Sequence, residues 1–230
     1  MPIRRPPRTT LTLPRLIVCE GPSDEAFFRA LIAARQLPEF SIRHTGESNA
    51  EGGGGITRFG DFLKGIPSWN GFYQLTDIIL VADNDLTPRE NFENVCDQIS
   101  SVDPYGGPPQ QYPVPSRPLE TVAGPPNITV LMVPSENEPG VLETLCLTAA
   151  VVVAPDITAC TDRFANCTSA DNWENPNNLT KMKLRSLLTA QNEHNPFVGL
   201  GMVWNQNPGL IPLNHGVFDP IVSFLERFRA

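Results

Sequence analysis

Three mostly apolar runs, each closed by an acidic or polar turn, set the pattern of this chain. Residues 16–19 read LIVC and end at Glu20, residues 77–85 read DIILVADND, and residues 127–133 read NITVLMV before a polar turn over residues 134–140. Short apolar runs bounded by turn residues are typical of strands that are buried on both faces of a parallel sheet. We predict strands over these three runs and a shorter strand over residues 40–44.

Helical periodicity follows the strands. After Glu20, Gly21 and Pro22 form a turn, Ser23 is the predicted N-cap, and apolar residues recur at helical spacing as far as Ala34. Further helices are predicted over residues 56–64, from Pro88, and over residues 141–150, 179–188 and 220–228. Strands alternating with helices predict an α/β fold with a mainly parallel sheet flanked by helices, and such folds place ligands at the carboxyl edge of the sheet.

Proline and glycine interrupt this pattern in long irregular stretches. Residues 103–126 are too rich in both for regular structure, residues 155–178 have no assignable pattern, and residues 197–214 indicate a loop with short extended pieces. Residues 51–55 are a glutamate and four glycines without P-loop lysine or Ser/Thr, which favours a flexible loop over a phosphate cradle. We predict a flexible arm over residues 1–14 and one domain with a C-terminal extension over residues 15–230.

The acids that close two of the strands carry the candidate chemistry. Asp83 and Asp85 are two residues apart, so on an extended segment both point the same way, while Asn84 turns away. If the strand that ends at Glu20 is a neighbour, three carboxylates converge, and such a cluster needs a cation to stay ionised. Oxygen ligands suit Mg²⁺ or Mn²⁺. Taken singly, these acids are typical of a helix-dipole charge and an Asx-turn; together they favour a metal site.

The same residues carry a family resemblance. A Glu-Gly pair closing the first strand and an Asp-x-Asp closing a later one resemble the Toprim domain of topoisomerases, primases and OLD-family nucleases. Residues 20–25, EGPSDE, are most similar to the OLD-type and small stand-alone Toprim forms. Three later segments also resemble these small proteins: residues 140–145 (GVLETL), 181–188 (KMKLRSLL) and 213–221 (LNHGVFDPI).

The resemblance implies a Toprim-like, Rossmann-like fold and a set of site residues. The implied metal ligands are Glu20, Asp24, Asp83, Asp85, Glu136 and Glu143. The implied catalytic residues are Glu20, Asp83, Asp85, Lys181 and Lys183. Three of these roles stay open: Asp24 is an outer ligand or a first-turn charge, Glu143 serves a second metal or faces solvent, and one or neither lysine neutralises the transition state.

The function that follows is a Mg²⁺-dependent (or Mn²⁺-dependent) phosphodiesterase, a nuclease acting on DNA or RNA, and plausibly the effector of a bacterial anti-phage defence system. The chain has no Walker motif, so any ATP dependence must come from a separate ATPase partner. The alternative is a non-catalytic metal-binding regulatory module that works with such an ATPase. A third reading is an RNA-processing or primase-like component.

Composition and net charge limit how such a protein could bind its substrate and where it is expected to be. A net charge of −8, with 18% charged and 40% hydrophobic residues, indicates a globular protein that does not bind nucleic acid through bulk charge. Local basic patches are Arg4, Arg5 and Arg8 in the arm, and residues 181–185. Five irregularly spaced cysteines predict no disulfide framework, and no apolar run is long enough to cross a membrane, so we expect a cytoplasmic protein with homo-oligomerisation left open.

Overall fold

The computed structural model describes residues 10–48, 54–102 and 111–229 as a five-stranded sheet between two layers of helices. The spatial order of the strands is β2-β1-β3-β5-β4. The first four in that order are parallel and β4 is antiparallel to β5. The strands are β1 Arg15–Cys19, β2 Ser41–His44, β3 Asp77–Asp83, β4 Thr121–Val122 and β5 Asn127–Val133. The predicted mixed α/β class, with a mostly parallel sheet flanked by helices, is confirmed.

Helices cover both faces of the sheet because the strands alternate their apolar side chains between two cores. In β1, Ile17 and Cys19 face one core, while Leu16 and Val18 face the other. The first core is covered by α1, α4, α6, α7 and α8, and the second by α2 and α3. The helices are α1 Pro22–Arg35, α2 Phe59–Gly65, α3 Pro88–Ser100, α4 Leu142–Val153, α5 Pro155–Cys167, α6 Pro176–Ala190, α7 Leu200–Gln206 and α8 Asp219–Glu226.

The helix after β1 begins earlier than the sequence predicts. Gly21, not Ser23, is the N-cap, and Pro22 occupies the first helical position, which its fixed φ suits. The carboxylate of Asp24 accepts a hydrogen bond of 2.9 Å from the Gly21 N–H, so the cap comes from the third helical residue. Phe27, Phe28 and Leu31 form the buried face of the helix, whereas the predicted core residue Ala34 is exposed.

Two stretches without a predicted helix contain helices. Residues 155–178, left unassigned, contain α5 and the start of α6; residues 197–214 contain α7, so the prediction of a loop there was wrong. The sequence conceals α5 because its buried face consists of Thr161 and Ala165, and neither residue gives a strong apolar signal. In α7, Gly201 lies against α1: a Cβ there would be in ordinary contact, 3.7 Å from the Cα of Ser23.

The proline-rich stretch is not wholly irregular either. It contains β4, where the hydroxyl groups of Thr121 and Thr129 are 2.9 Å apart across the antiparallel pair. Residues 103–110 of this stretch, and residues 51–53 of the glycine run, lie outside the described residues. So do residues 1–9 of the predicted arm. Within residues 10–14, Leu11 is buried and its N–H donates to the Asn70 carbonyl at 2.7 Å.

Several single residues have structural roles that place them outside the candidate chemistry. Cys19 and Cys146 are buried core residues. His215 is structural, since its Nδ1 accepts a hydrogen bond from the Val217 N–H at 3.1 Å. Trp204 packs on Phe27, with ring centroids 5.7 Å apart. Across the three described ranges, no helix is both long and apolar enough to span a membrane.

Candidate functional site

Glu20 and Asp83 meet at the carboxyl edge of the sheet. The parallel register pairs Cys19 with Val81, so Glu20 follows at the level where β3 approaches its own end. There the Oε1 of Glu20 accepts a hydrogen bond of 2.8 Å from the Asp83 N–H. The backbone carbonyl of Glu20 is held in turn by the Thr45 hydroxyl at 2.8 Å and by the Gly55 N–H at 3.1 Å. The ends of β1, β2 and β3 are therefore joined at this acid.

The described part of the glycine run explains why two glycines are needed next to Glu20. A Cβ on Gly54 would lie 2.3 Å from the Glu20 carbonyl oxygen, a distance that no side chain tolerates. Gly55 has a φ of +131°, which L side chains rarely adopt. The Gly55 N–H is directed to the backbone of Glu20, so this glycine supports the end of β1.

The side chain of Asp83 is held by the first residue of α4, the helix that follows β5. Its Oδ1 accepts a hydrogen bond of 2.9 Å from the N–H of Leu142, the first residue of α4. An anionic side chain is favoured at a helix N-terminus, where N–H groups lack intrahelical partners. The carboxylate of Asp83 thus links β3 to the helix that follows β5.

Asn84 turns away from the carboxylates, as predicted, and organises the acidic turn. Its side chain is fully buried, and its Nδ2 donates to the carbonyl oxygens of Ser135 and Glu138, both at 2.6 Å. These two bonds hold the turn over residues 134–140 against the end of β3. The predicted placement of this turn on the acidic edge is therefore supported by backbone contacts, although the Glu136 and Glu138 side chains are exposed.

Asp85 reaches the same edge for a reason that the sequence does not reveal. The strand ends at Asp83, and Asp85 has a φ of +46°, so the strand-alternation argument for it was wrong. Its carbonyl accepts from the Gly140 N–H at 2.7 Å, and its Oδ1 accepts from the Asn177 Nδ2 at 3.1 Å. A turn conformation and a side chain from α6 therefore set the direction of this carboxylate.

Three carboxylates line one small cavity. It measures about 10 Å³, the space of a single water molecule or ion. Asp24 joins Glu20 and Asp83 there because α1 begins directly after β1. The lining consists of Glu20, Asp24, Phe28, Val81, Ala82, Asp83, Val133 and Leu142. An apolar wall behind three acids makes ionisation unfavourable unless a cation is bound.

Burial raises the pKa of each of these acids. The pKa of Glu20 rises from 4.5 to about 7, and the charges of Asp24 and Asp85 add to the effect of burial. The pKa of Asp24 rises to about 6 through burial and the charge of Glu143. Burial, followed by the charges of Asp24 and Glu20, raises the pKa of Asp83 well above its ordinary value. The acids therefore act as one electrostatic unit.

The oxygens of Glu20, Asp83 and Asp85 are nevertheless not gathered around one point. Within the described ranges, the three-residue group whose ligand atoms all lie within 4.8 Å of one another is Glu25, His44 and Glu47. Neither the predicted triad nor the trio of Glu20, Asp24 and Asp83 forms such a group. In the predicted triad each carboxylate bonds a different donor: the Asp83 N–H, the Leu142 N–H and the Asn177 amide.

The Glu25, His44 and Glu47 group is better explained by ion pairs. Arg29 bonds Glu25 at 2.7 Å, and Arg43 lies 3.4 Å from Glu47. The His44 Nε2 is 3.9 Å from Glu25 and 4.0 Å from Glu47. Because two arginines already compensate the two carboxylates, we interpret this group as a network of ion pairs at the end of β2.

The two candidate lysines have different surroundings in the structure. Lys183 forms an ion pair of 2.7 Å with Asp162 of α5. Lys181 lies two residues earlier on α6, on another side of the helix, and its charge lowers the pKa of both Glu20 and Asp24. Lys181 is therefore the lysine that the fold brings to the carboxylates.

Glu143 and Glu136 also differ in their surroundings. The half-buried Glu143 is in the first turn of α4, and its charge raises the pKa of Asp24 and of Asp83. Glu136 is exposed on the turn. Of the two, Glu143 has the electrostatic contact with the cavity that a second ligand needs.

Sequence reasoning missed Asn177, which holds Asp85. This residue is buried within the stretch left unassigned. A signal was present, because Asn175 followed by Pro176 is a helix start: the Asn175 side chain accepts from the Asn177 N–H at 2.9 Å. Recognising that start would have placed Asn177 at the beginning of α6.

Fold and site together define an α/β protein with a buried group of carboxylates at the carboxyl ends of its central strands. The chain belongs to the family described as protein of unknown function (DUF3226), which matches residues 14–229. No curated protein and no solved structure matches it. All the strands and the whole acidic edge lie within the matched region.

Proposed function

We propose that this chain is a Mg²⁺-dependent or Mn²⁺-dependent phosphodiesterase that cleaves DNA or RNA at a Toprim-like site. The observation that carries the proposal is the cavity of single-water size that Glu20, Asp24 and Asp83 line together. Structural acids are usually paired or solvated, whereas these three are half-buried beside one another and have raised pKa values.

The chemistry of the donor atoms suits a hard divalent cation. Glu20, Asp24 and Asp83 each use one oxygen to accept a backbone N–H, which leaves the second oxygen for a ligand. Carboxylate oxygens without sulfur or imidazole suit Mg²⁺ or Mn²⁺. Asp85 and Glu143 stand near enough to influence the pKa of Glu20 and Asp24, respectively, and would serve as outer ligands or hold a second ion.

In this proposal the chain supplies position and charge. A divalent ion, when bound, polarises a phosphate oxygen and lowers the pKa of an attacking water. The hydrogen bonds from the Asp83 and Leu142 N–H groups keep Glu20 and Asp83 oriented, which limits reorganisation during the reaction. Lys181 stabilises the negative charge that develops on the phosphate, since it is the cation coupled to the carboxylates.

A nuclease assay tests the proposal. Purified protein is incubated with single-stranded DNA, duplex DNA and RNA in Mg²⁺, in Mn²⁺ and in EDTA. We expect cleavage of at least one substrate with either metal and none in EDTA. Because an ATPase partner and a role in anti-phage defence are part of the proposal, the assay is repeated with any ATPase encoded next to the gene. Metal binding without cleavage under all these conditions would favour the regulatory module.

A further inference from the structure

A groove beside the carboxylates combines two cations with an apolar wall. It lies where α6 meets α7 and the start of α1, and it encloses about 400 Å³, within the range of small-molecule sites. Leu184, Leu188 and Leu200 form its buried wall, and Lys181 and Arg185 stand at its exposed rim.

The groove and the acidic cavity are lined by neighbouring residues. Ser23 lines the groove and precedes Asp24, and Leu142 lines the cavity and precedes Glu143, which lines the groove. A chain with one phosphate at the carboxylates would therefore place an adjacent nucleotide near the groove.

The two rim cations are available to a ligand. Within the described residues, neither Lys181 nor Arg185 has an ion-pair partner within 4.0 Å, whereas the neighbouring Lys183 is paired with Asp162. The chain has a net charge of −8, so general attraction does not bring a polyanion to this surface. Unpaired cations beside the acidic edge are the local complement that a phosphate backbone needs.

The apolar wall selects the form of the substrate. A base can lie against aliphatic side chains only if it is unstacked, and bases inside a duplex have both faces covered by their neighbours. Resting on the proposed phosphodiester chemistry, we propose that this groove is a subsite for one unstacked nucleotide of a single-stranded nucleic acid. Its base contacts Met182, the half-buried apolar residue of the lining, and its phosphate contacts Arg185.

Two variants alter the groove without touching the carboxylates. Arg185→Ala removes the exposed rim cation. Gly199→Val fills the mouth, since a Cβ at Gly199 would lie 3.4 Å from the Arg185 Nη1, and the backbone there is extended (φ −92°, ψ 166°) and accepts any residue. Arg89→Ala is the matched control, an 89% exposed arginine on α3, which covers the opposite face of the sheet.

The test is binding of short fluorescein-labelled oligonucleotides by fluorescence anisotropy, in Ca²⁺ so that bound substrate is not consumed. Single-stranded DNA, single-stranded RNA and a duplex of the same sequence are compared. We expect tighter binding of the single strands than of the duplex. We also expect about tenfold weaker single-strand binding by Arg185→Ala and Gly199→Val, as for the loss of one base or phosphate contact, and no change in Arg89→Ala. In Arg185→Ala the slope of log K against log salt concentration should fall by about 0.7.

The outcomes separate this subsite from the proposed chemistry. Equal or tighter duplex binding, or unchanged binding by both groove variants with native melting curves, would overturn the subsite even if cleavage is observed. Binding as expected without cleavage in Mg²⁺ or Mn²⁺ would remove the phosphodiesterase and leave the subsite standing. The DNA and RNA arms decide which single strand is the natural occupant.

Discussion

The Glu20 carboxylate accepts a hydrogen bond of 2.8 Å from the backbone N–H of Asp83, so the acid that ends β1 is tied to the acid that ends β3. This one contact brings together two positions 63 residues apart. It also explains why burial of Glu20 is tolerated, since a backbone N–H bonded to a carboxylate opposes the rise in its pKa.

Neutralising either acid should separate activity from stability. In Glu20→Gln and Asp83→Asn the remaining carbonyl oxygen can still accept its backbone hydrogen bond, but the charge that holds a cation is lost. We expect metal-dependent cleavage to fall by about 100-fold or more. We expect the metal-free protein to melt about 2–8 °C higher, since a gain of about 1–2 kcal/mol follows from removing a buried charge.

Differential scanning calorimetry and a cleavage assay on the same preparations measure both effects. Glu174→Gln, a change at an exposed glutamate, is the control and should alter neither. Full activity in Glu20→Gln or Asp83→Asn would rule out the carboxylate site.

The stability of the metal-free protein should fall as pH rises. The pKa of Glu20 is raised from 4.5 to about 7, so between these values the folded state binds more protons than the unfolded state, and the free energy of unfolding decreases with increasing pH. Asp24, with its pKa raised from 3.8 to about 6, adds to the loss over an overlapping range.

Urea midpoints measured from pH 4.5 to 8 test this dependence. In Glu20→Gln the slope between pH 6 and 7 should become shallower. Added Mg²⁺ should restore stability mainly above pH 7, where the acids are ionised. A wild-type midpoint that rises through this range would contradict the raised pKa values.

Lys181 and Lys183 should differ sharply when each is replaced by alanine. Lys181→Ala removes the cation coupled to Glu20 and Asp24, and we expect a loss in kcat of about 100-fold with little change in stability. Lys183→Ala breaks an ion pair with a half-exposed Asp162, a change of about 0.5 kcal/mol or less, and should leave kcat near wild type. Steady-state kinetics of the pair decides, because each variant is the control for the other. Equal losses in both would contradict the assignment of the catalytic cation to Lys181.

Replacing Asn84 should destabilise the whole acidic edge. Asn84→Ala removes the donor that bonds the carbonyl groups of Ser135 and Glu138, and we expect a loss of about 1–3 kcal/mol for the two hydrogen bonds. Chemical denaturation measures the loss, and Asn205→Ala, at an exposed position in α7, is the control. A change below about 0.5 kcal/mol would show that the turn is held by other contacts.

The local pattern of apolar residues was sufficient to predict the strands and helices that bury many large apolar side chains. The predicted strand over residues 127–133 agrees with β5 at both ends, and the predicted strand over residues 77–85 begins with β3 and runs two residues past its end. The helix predicted from Pro88 begins there, and Phe92, Val95 and Ile99 form its buried face. In these segments most inward positions are large apolar residues, Ala82 and Thr129 being exceptions, so hydrophobic burial and local sequence favour the same structure. The sheet edge that gathers Glu20 and Asp83 follows from that pattern, because parallel strands all end at one edge.

Long-range contacts decided the parts of the structure for which the local sequence pattern gives only a weak signal. Helix α5 buries only Thr161 and Ala165, and α7 is only seven residues long, so neither is stable by itself. They form because they pack on α6 and α1, a contribution that no local stretch of sequence contains. The position of Asp85 depends on Asn177, 92 residues away, and the choice between Lys181 and Lys183 depends on Asp162 of another helix. The sequence by itself determined that Glu20 and Asp83 reach the edge. Long-range contacts decided which side chains surround them, because a side chain's direction in a turn or on a mostly exposed helix is set by the partners that packing supplies.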